Sequence, residues 1–248
     1  MKLYDSTYEK TRLADKYLVR EWIKETIGER YLVPLLGVWD RFEEIDFDKL
    51  PENYVLKCNH GSGMNLVVKN NLDKEKAREL FDKWMNTNYA FRAGLEMHYA
   101  DMPRKIIAEK YIEEMDGSLY DYKIHCFGGE PKFIQCIGDR DLKKHTGYQM
   151  NYDTEWHELD WTFETYPRFP YEVEKPVCLD EMINVAKKLS AGFSYVRVDL
   201  YEIKGNVLFG EMTFTPASGN YRYQGSFTRD VDMRLGEMIE LNNEGYNS

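Results

Sequence analysis

The sequence predicts an α+β chain built mainly on antiparallel sheets, and three observations carry that expectation. Runs with strand patterning outnumber helical ones, and several follow one another directly. Two pairs of runs are joined by hairpin chemistry, Gly128-Gly129 in one case and Lys204-Gly205-Asn206 in the other. The helical stretches are few and lie scattered among the strands.

The elements follow in order. Residues 11–27 set Leu13, Tyr17, Leu18, Trp22 and Ile23 on one helical face, with Gly28 as the stop. Residues 31–39 are apolar but carry Pro34, which suits an edge strand or an extended connector. A strand at 54–58 runs into the loop 60–63 and a second strand at 66–68. Residues 73–85 fit the helix template, with Ala77, Leu80, Phe81, Trp84 and Met85 on one face. Strands are expected at 105–112 and 120–127, and Gly128-Gly129 turns the latter back into 131–137. Residues 139–178 are rich in Tyr and Trp but lack a period, so no element is assigned there. Asp180 reads as the cap of a helix carrying Met182, Ile183, Ala186 and Leu189. Strands at 195–203 and 207–214 form the second hairpin, and a helix near 232–241 closes the chain.

Composition bounds the function. The chain has 248 residues, 43% hydrophobic and 15% aromatic, enough for one large or two small folded domains. A formal net charge of −10 argues against a broad surface for nucleic acid or anionic membrane, while a local positive cluster would still suit a small anion. Cys58, Cys126, Cys136 and Cys178 form no C-x-x-C pair and read as reduced thiols. No run approaches the roughly 18 apolar residues of a membrane span. Lys2, Asp5, Glu9 and Lys10 stand where a signal segment would be apolar, so a cytoplasmic chain without membrane insertion is expected.

Three clusters carry possible chemistry. Lys57 ends a strand just before His60, Gly61, Ser62 and Gly63; glycines let backbone N–H groups approach phosphate, and the lysine adds a point charge. An ordinary turn is the alternative, and the loop is not a Walker A motif. Alternation places Arg197, Asp199 and Tyr201 on one strand face, with Glu211 and Thr213 sharing a face across the turn. Two facing carboxylates repel unless a cation lies between them, and hard oxygen ligands suit Mg2+. The alternative is a solvated face on which Arg197 neutralises both acids. Glu109, Lys110, Tyr111 and Ile112 end a strand whose backbone groups could meet an adenine edge. The histidines His98, His125, His145 and His157 show no metal-ligand spacing. Arg140, between two aspartates, and Ser218 and Arg222, after the late hairpin, are candidates for substrate contact.

Taken in this order, the lysine strand, the Gly loop, Glu109 to Ile112, Arg197-Val198-Asp199 and Gly210-Glu211-x-Thr213-x-x-Pro216 resemble the ATP-grasp superfamily from about Asn53 to Gly219. The stretch 197–219 is similar to the metal-binding segment of D-alanine–D-alanine ligases. The stretches ADKYLVREW (14–22), KCNHGSG (57–63), IAEKYI (107–112) and YDYKIHCF (120–127) resemble its teichuronopeptide-biosynthesis branch, found with bacterial capsule and cell-surface polysaccharide genes. The resemblance implies two α+β lobes gripping nucleotide between them: a short N-terminal segment at 1–50, a small lobe at 51–112 and a large lobe at 113–248. It implies ATP and two Mg2+ as cofactors. The expected activity joins a small-molecule or polymer-linked carboxylate to an amine through an acyl-phosphate, in association with polysaccharide-assembly enzymes; a sugar kinase, a glycosyltransferase-like enzyme or a nucleotide-binding subunit is the alternative.

By the same resemblance, Lys57 would hold the α- and β-phosphates, and His60, Gly61, Ser62 and Gly63 would cover the β- and γ-phosphates. Glu109, Lys110, Tyr111 and Ile112 would form the adenine hinge. Asp121 would meet the ribose, with Glu113 or Glu114 as substitutes, and Lys123 would meet phosphate or substrate. Asp199 and Glu211 would hold metal, Glu211 bridging, and Arg197 would stabilise the acyl-phosphate. Thr213 stands where most such ligases have a metal-binding asparagine.

Overall fold

The computed structural model describes residues 6–92, 94–112, 119–141, 144, 146–225 and 228–240. The chain divides into two compact units, Met1–Glu25 with Leu32–Glu113 and Thr26–Tyr31 with Glu114–Ser248. Among the described residues every ladder between two strands is antiparallel, in line with the mainly antiparallel sheets that the sequence predicts.

The first unit is built on a four-stranded sheet. Its strands are β1 (Leu35–Trp39), β2 (Asn53–Cys58), β3 (Asn65–Lys69) and β4 (Ile106–Lys110), in the order β1-β4-β2-β3. Pro34 precedes the edge strand β1, where its missing N–H breaks no ladder bond. The helix α3 (Lys74–Met85) is capped by Asp73, whose carboxylate accepts from Lys76 N at 3.2 Å. It buries Ala77 and Phe81 with Leu56, Cys58, Ile106 and Ala108 of the sheet.

One expectation fails at the N-terminus. Residues 11–27 form not one helix but two, α1 (Tyr8–Ala14) and α2 (Val19–Thr26). Asp15 causes the break. It leaves helical geometry as the C-cap of α1, and its Oδ1 accepts from Tyr17 N and Leu18 N at 2.7 and 3.1 Å.

The second unit carries a five-stranded sheet in the order β10-β9-β5-β6-β7. The strands are β5 (Asp121–Phe127), β6 (Glu130–Asp141), β7 (Thr146–Tyr152), β9 (Tyr195–Ile203) and β10 (Asn206–Thr213). A two-stranded ribbon pairs β8 (Trp161–Phe163) with β11 (Tyr223–Gly225). The helix α4 (Leu179–Ser190) packs on one face of the large sheet and buries Met182, Val185, Ala186 and Leu189. Its N-cap is Cys178; Asp180 lies in the first turn instead, where its charge still suits the helix dipole. The closing helix α5 (Thr228–Glu237) starts earlier than the pattern near 232–241 suggests.

The region 139–178 also differs from expectation, since it holds β7 and β8. Gln149 and Asn151 in β7 are wholly buried, so the polar-out alternation that marks a half-exposed strand is missing. All four cysteines are buried and reduced. No described helix is long and apolar enough to cross a membrane.

Candidate active site

Alternation along β9 buries Val196, Val198 and Leu200 on one face of the large sheet and puts Arg197, Asp199 and Tyr201 on the other. The neighbouring strands add to that second face by register. Asp199 pairs with Lys123, His125 with Arg197 and Asp121 with Tyr201 across β5–β9. Across β9–β10, Glu211 pairs with Asp199 and Thr213 with Arg197. That last pairing depends on a β-bulge. Phe209 pairs with Leu200 on the core face, and the register then shifts by one before Glu211. Gly210 is the extra residue of that bulge; in an unbulged register it would itself pair with Asp199, and Glu211 would pair with Val198 and point into the core.

On this face charges alternate in sign. Arg140 Nη2 lies 3.2 Å from Asp121 Oδ2, and Lys123 Nζ reaches Asp121 at 3.0 Å and Asp199 at 2.5 Å. Arg197 donates from Nε to Asp199 Oδ1 at 2.6 Å and from Nη2 to Oδ2 at 2.7 Å. The same Nη2 lies 3.3 Å from Glu211 Oε1 and 3.0 Å from Thr213 Oγ1. Arg197 is 7% exposed and Asp199 1%, so the face is not the solvated one of the alternative reading, although Arg197 does touch both acids. Burial alone would lower the pKa of Arg197, but Asp199 outweighs it and holds the pKa well above the usual value. Burial likewise opposes the charge on Lys123, and Asp121 with Asp199 overcomes it and raises the pKa. One oxygen of Asp121, Oδ1, is buried without a hydrogen-bond partner.

The first unit brings together Lys57 and Glu109, diagonal neighbours on β2 and β4. Lys57 Nζ lies 2.6 Å from Glu109 Oε2, and Arg20 Nη1 of α2 lies 2.9 Å from the other oxygen, Oε1. The loop after β2 closes with Cys58 N donating to Met64 O at 2.9 Å. Gly61 packs against the Tyr89 ring, where a Cβ would sit 2.8 Å from Cδ2. Ser62 and Gly63 form the exposed tip, Gly63 at φ +70°.

His60 does not face that tip. It is buried, with Nδ1 3.3 Å from Asn59 Oδ1 and Nε2 3.1 Å from Trp84 O, so both ring nitrogens are engaged inside the unit. Burial pushes its pKa down. At the expected hinge, Lys110 N already donates to Pro34 O at 2.9 Å, which takes that backbone donor away from any ligand. Tyr111 lies under Lys69 Nζ at 5.0 Å with its hydroxyl buried, and Ile112 is half-buried. Glu113, Glu114 and His145 lie outside the described residues.

The remaining candidates divide. Arg140 joins the charged face through Asp121 instead of standing alone. Ser218 is buried, and Arg222 is exposed with its carbonyl accepting from Glu164 N at 2.9 Å. His98 and His125 are buried, whereas His157 is an exposed partner of Asp153. The sequence gives no individual role to Arg20, Asp15 or Gly210, although each lies in a stretch that carries the resemblance; Tyr221, beside the candidate Arg222, has its hydroxyl 3.2 Å from Arg197 Nη1. Only Gly210 left a signal, a lone glycine within a β-patterned run.

Among the described residues no group of three or more His, Cys, Asp or Glu could hold a metal by itself. Asp199 and Glu211 supply two hard carboxylates on adjacent strands, a donor set suited to Mg2+ that takes its other ligands from water and phosphate.

Comparison with known proteins sets these features in a family. No curated protein matches the sequence. Among solved structures, D-alanine–D-alanine ligase from Bacillus anthracis complexed with ATP aligns with a TM-score of 0.51 at 16% identity, covering 92% of this chain and 65% of that one. The corresponding ligase from Helicobacter pylori gives 0.47 at 15% identity over 92% and 61%, and phosphoribosylamine–glycine ligase from Thermotoga maritima 0.49 at 14% over 85% and 50%. The chain thus spans less than two thirds of the ligases it matches, and at 16% identity the likeness to the first shows the fold alone. The family model for TupA-like ATP-grasp proteins matches residues 1–240, nearly the whole sequence, and the chain belongs to that family.

Proposed function

We propose that the chain is an ATP-dependent carboxylate–amine ligase that amidates a uronic acid, or extends an acidic peptide, of a bacterial surface polymer. The observation that carries this reading is the facing of Asp199 and Glu211 on one sheet face, with Arg197 beside them. Family membership supports the ATP-grasp part of it.

In the proposed reaction a substrate carboxylate oxygen attacks the γ-phosphorus of ATP, and ADP leaves. An amine then attacks the carbonyl carbon of the acyl-phosphate, phosphate departs, and the nitrogen loses a proton. No covalent nucleophile is needed; the protein contributes position and charge. Mg2+, when bound, offsets phosphate charge. Asp199 and Glu211 would hold it, and Thr213 offers only a neutral hydroxyl. Three cations, Arg140, Lys123 and Arg197, stand against three anions, Asp121, Asp199 and Glu211, so the row has no net charge to spare for a triphosphate. Metal charge then has to meet the polyanion. Arg197, which here touches Glu211 and Thr213, would be the group placed to meet the developing acyl-phosphate. The partnerless Oδ1 of Asp121 suits a ribose hydroxyl.

An ADP-release assay with candidate uronic acids and amino acids, read by mass spectrometry, tests the proposal. A product weighing acid plus amine minus water supports it. A product heavier by a phosphoryl group alone makes the chain a kinase, and nucleotide binding without ADP release makes it a binding subunit; either result overturns the ligase.

A further inference from the structure

The turn between α1 and α2, together with the start of α2, sends three polar side chains to the candidate nucleotide residues of the first unit. Asp15 Oδ2 accepts from Asn59 Nδ2 at 2.6 Å, at the root of the Gly loop. Lys16 Nζ donates to Gly61 O at 2.6 Å, and Lys16 N lies 3.3 Å from Asn59 O. Arg20 donates from Nη1 to Glu109 at 2.9 Å and from Nη2 to Val33 O at 2.6 Å, which fixes its guanidinium at both ends. The side-chain contacts to Asn59, Gly61 and Glu109 join residues 44 to 89 positions apart, so residues 15–20 touch both the loop and the lysine cluster.

The charge count in that cluster gives the contacts a consequence. Glu109 has two oxygens; Lys57 takes one and Arg20 the other. With Arg20 present the trio carries one net positive charge. Without it Lys57 and Glu109 cancel, and a bare carboxylate oxygen lies beside the lysine. The side chains are 26%, 14% and 10% exposed for Lys57, Arg20 and Glu109, so solvent screens them only in part.

We propose that residues 15–20 are a working part of the nucleotide site: Arg20 is a positioning residue that occupies Glu109 and so leaves Lys57 its charge for phosphate, while Asp15 and Lys16 hold the Gly loop. The inference rests on the nucleotide reading of Lys57 and the loop. It assigns to the short N-terminal segment more than the helix packing its apolar stripe suggests.

The test is a double-mutant cycle on Mg·ATP affinity, measured by calorimetry, with thermal melting of each ligand-free variant alongside. Arg20→Met is expected to weaken binding about tenfold, the scale of one charge-assisted hydrogen bond. Arg20→Lys, which keeps the charge, is expected to stay within about threefold of wild type. In a Glu109→Gln background the Arg20→Met loss should largely vanish, because no carboxylate remains to be occupied. A merely structural arginine would give the same loss in both backgrounds, and that result overturns the inference; so does unchanged affinity in Arg20→Met. Failure of the wild-type chain to bind Mg·ATP overturns the inference together with the nucleotide reading beneath it, whereas wild-type binding that ignores Arg20 overturns the inference alone.

Discussion

Asp199 and Glu211 are both carboxylates on one face, yet they differ in what the fold asks of them. Asp199 is 1% exposed and accepts from Arg197 twice and from Lys123 once. Neutralising it leaves two buried cations short of their partner. Glu211 has a side chain 33% exposed and meets Arg197 only at 3.3 Å. Asp199→Asn is therefore expected to cost about 3 kcal/mol of stability without ligand. Glu211→Gln should cost less than about 1 kcal/mol. Both variants should lose turnover by at least roughly 100-fold if the two acids hold metal. Denaturant unfolding beside ADP release separates the two effects. Equal stability losses would contradict the burial argument, and full activity in both variants would remove the metal assignment.

At the scale of elements, the bulge in β10 decides whether a site exists. Gly210 lets the strand change parity, so that Phe209 stays in the core while Glu211 turns to the Asp199 face. A Cβ at Gly210 would sit 3.0 Å from Asp199 O and 2.9 Å from Tyr201 Cε2, and the backbone oxygen cannot step aside. Gly210→Ala is expected to cost about 2 kcal/mol and to weaken metal-dependent nucleotide binding with it. Retained stability with intact Mg·ATP affinity would show that the bulge tolerates a side chain. Most of the strands and both hairpins were legible in the sequence because alternation and turn chemistry are local. Facing acids could be proposed from alternation, but their register passes through Gly210, which no periodicity reports. The break between α1 and α2 was hidden for a similar reason: Asp15 is fixed partly by Asn59, 44 residues on. β7 escaped because Gln149 and Asn151 are buried, and buried amides imitate surface residues in a hydropathy pattern. Gln149 is satisfied by donating to the carbonyls of Phe163 and Tyr166.

For the whole molecule, the buried histidines set the response to acid. His60 and His98 lie in the first unit and His125 in the second, so neither unit is spared. Burial lowers all three pKa values, that of His98 to about 4 and that of His125 well below its ordinary value. His125 is also boxed in, stacked on Phe133 at 4.2 Å with Nδ1 2.8 Å from the Tyr195 hydroxyl. A histidine kept neutral by the fold costs nothing while the unfolded chain is also neutral, above about pH 6.5. Below that the unfolded state gains protons that the folded state refuses, and stability falls as pH falls. From pH 6.5 to 5, His98 alone should remove about 2 kcal/mol. Asp15 works the other way, since burial raises its carboxyl pKa, but one carboxyl opposes three imidazoles. Melting temperature is therefore expected to be level between pH 7 and 8 and to drop steadily from pH 6.5 to 5. His98→Gln, which cannot take up a proton, should flatten that slope even if it lowers stability at every pH. A wild-type melting temperature unchanged from pH 7 to 5 would mean these rings protonate in place, and the neutral, buried assignment would have to be given up.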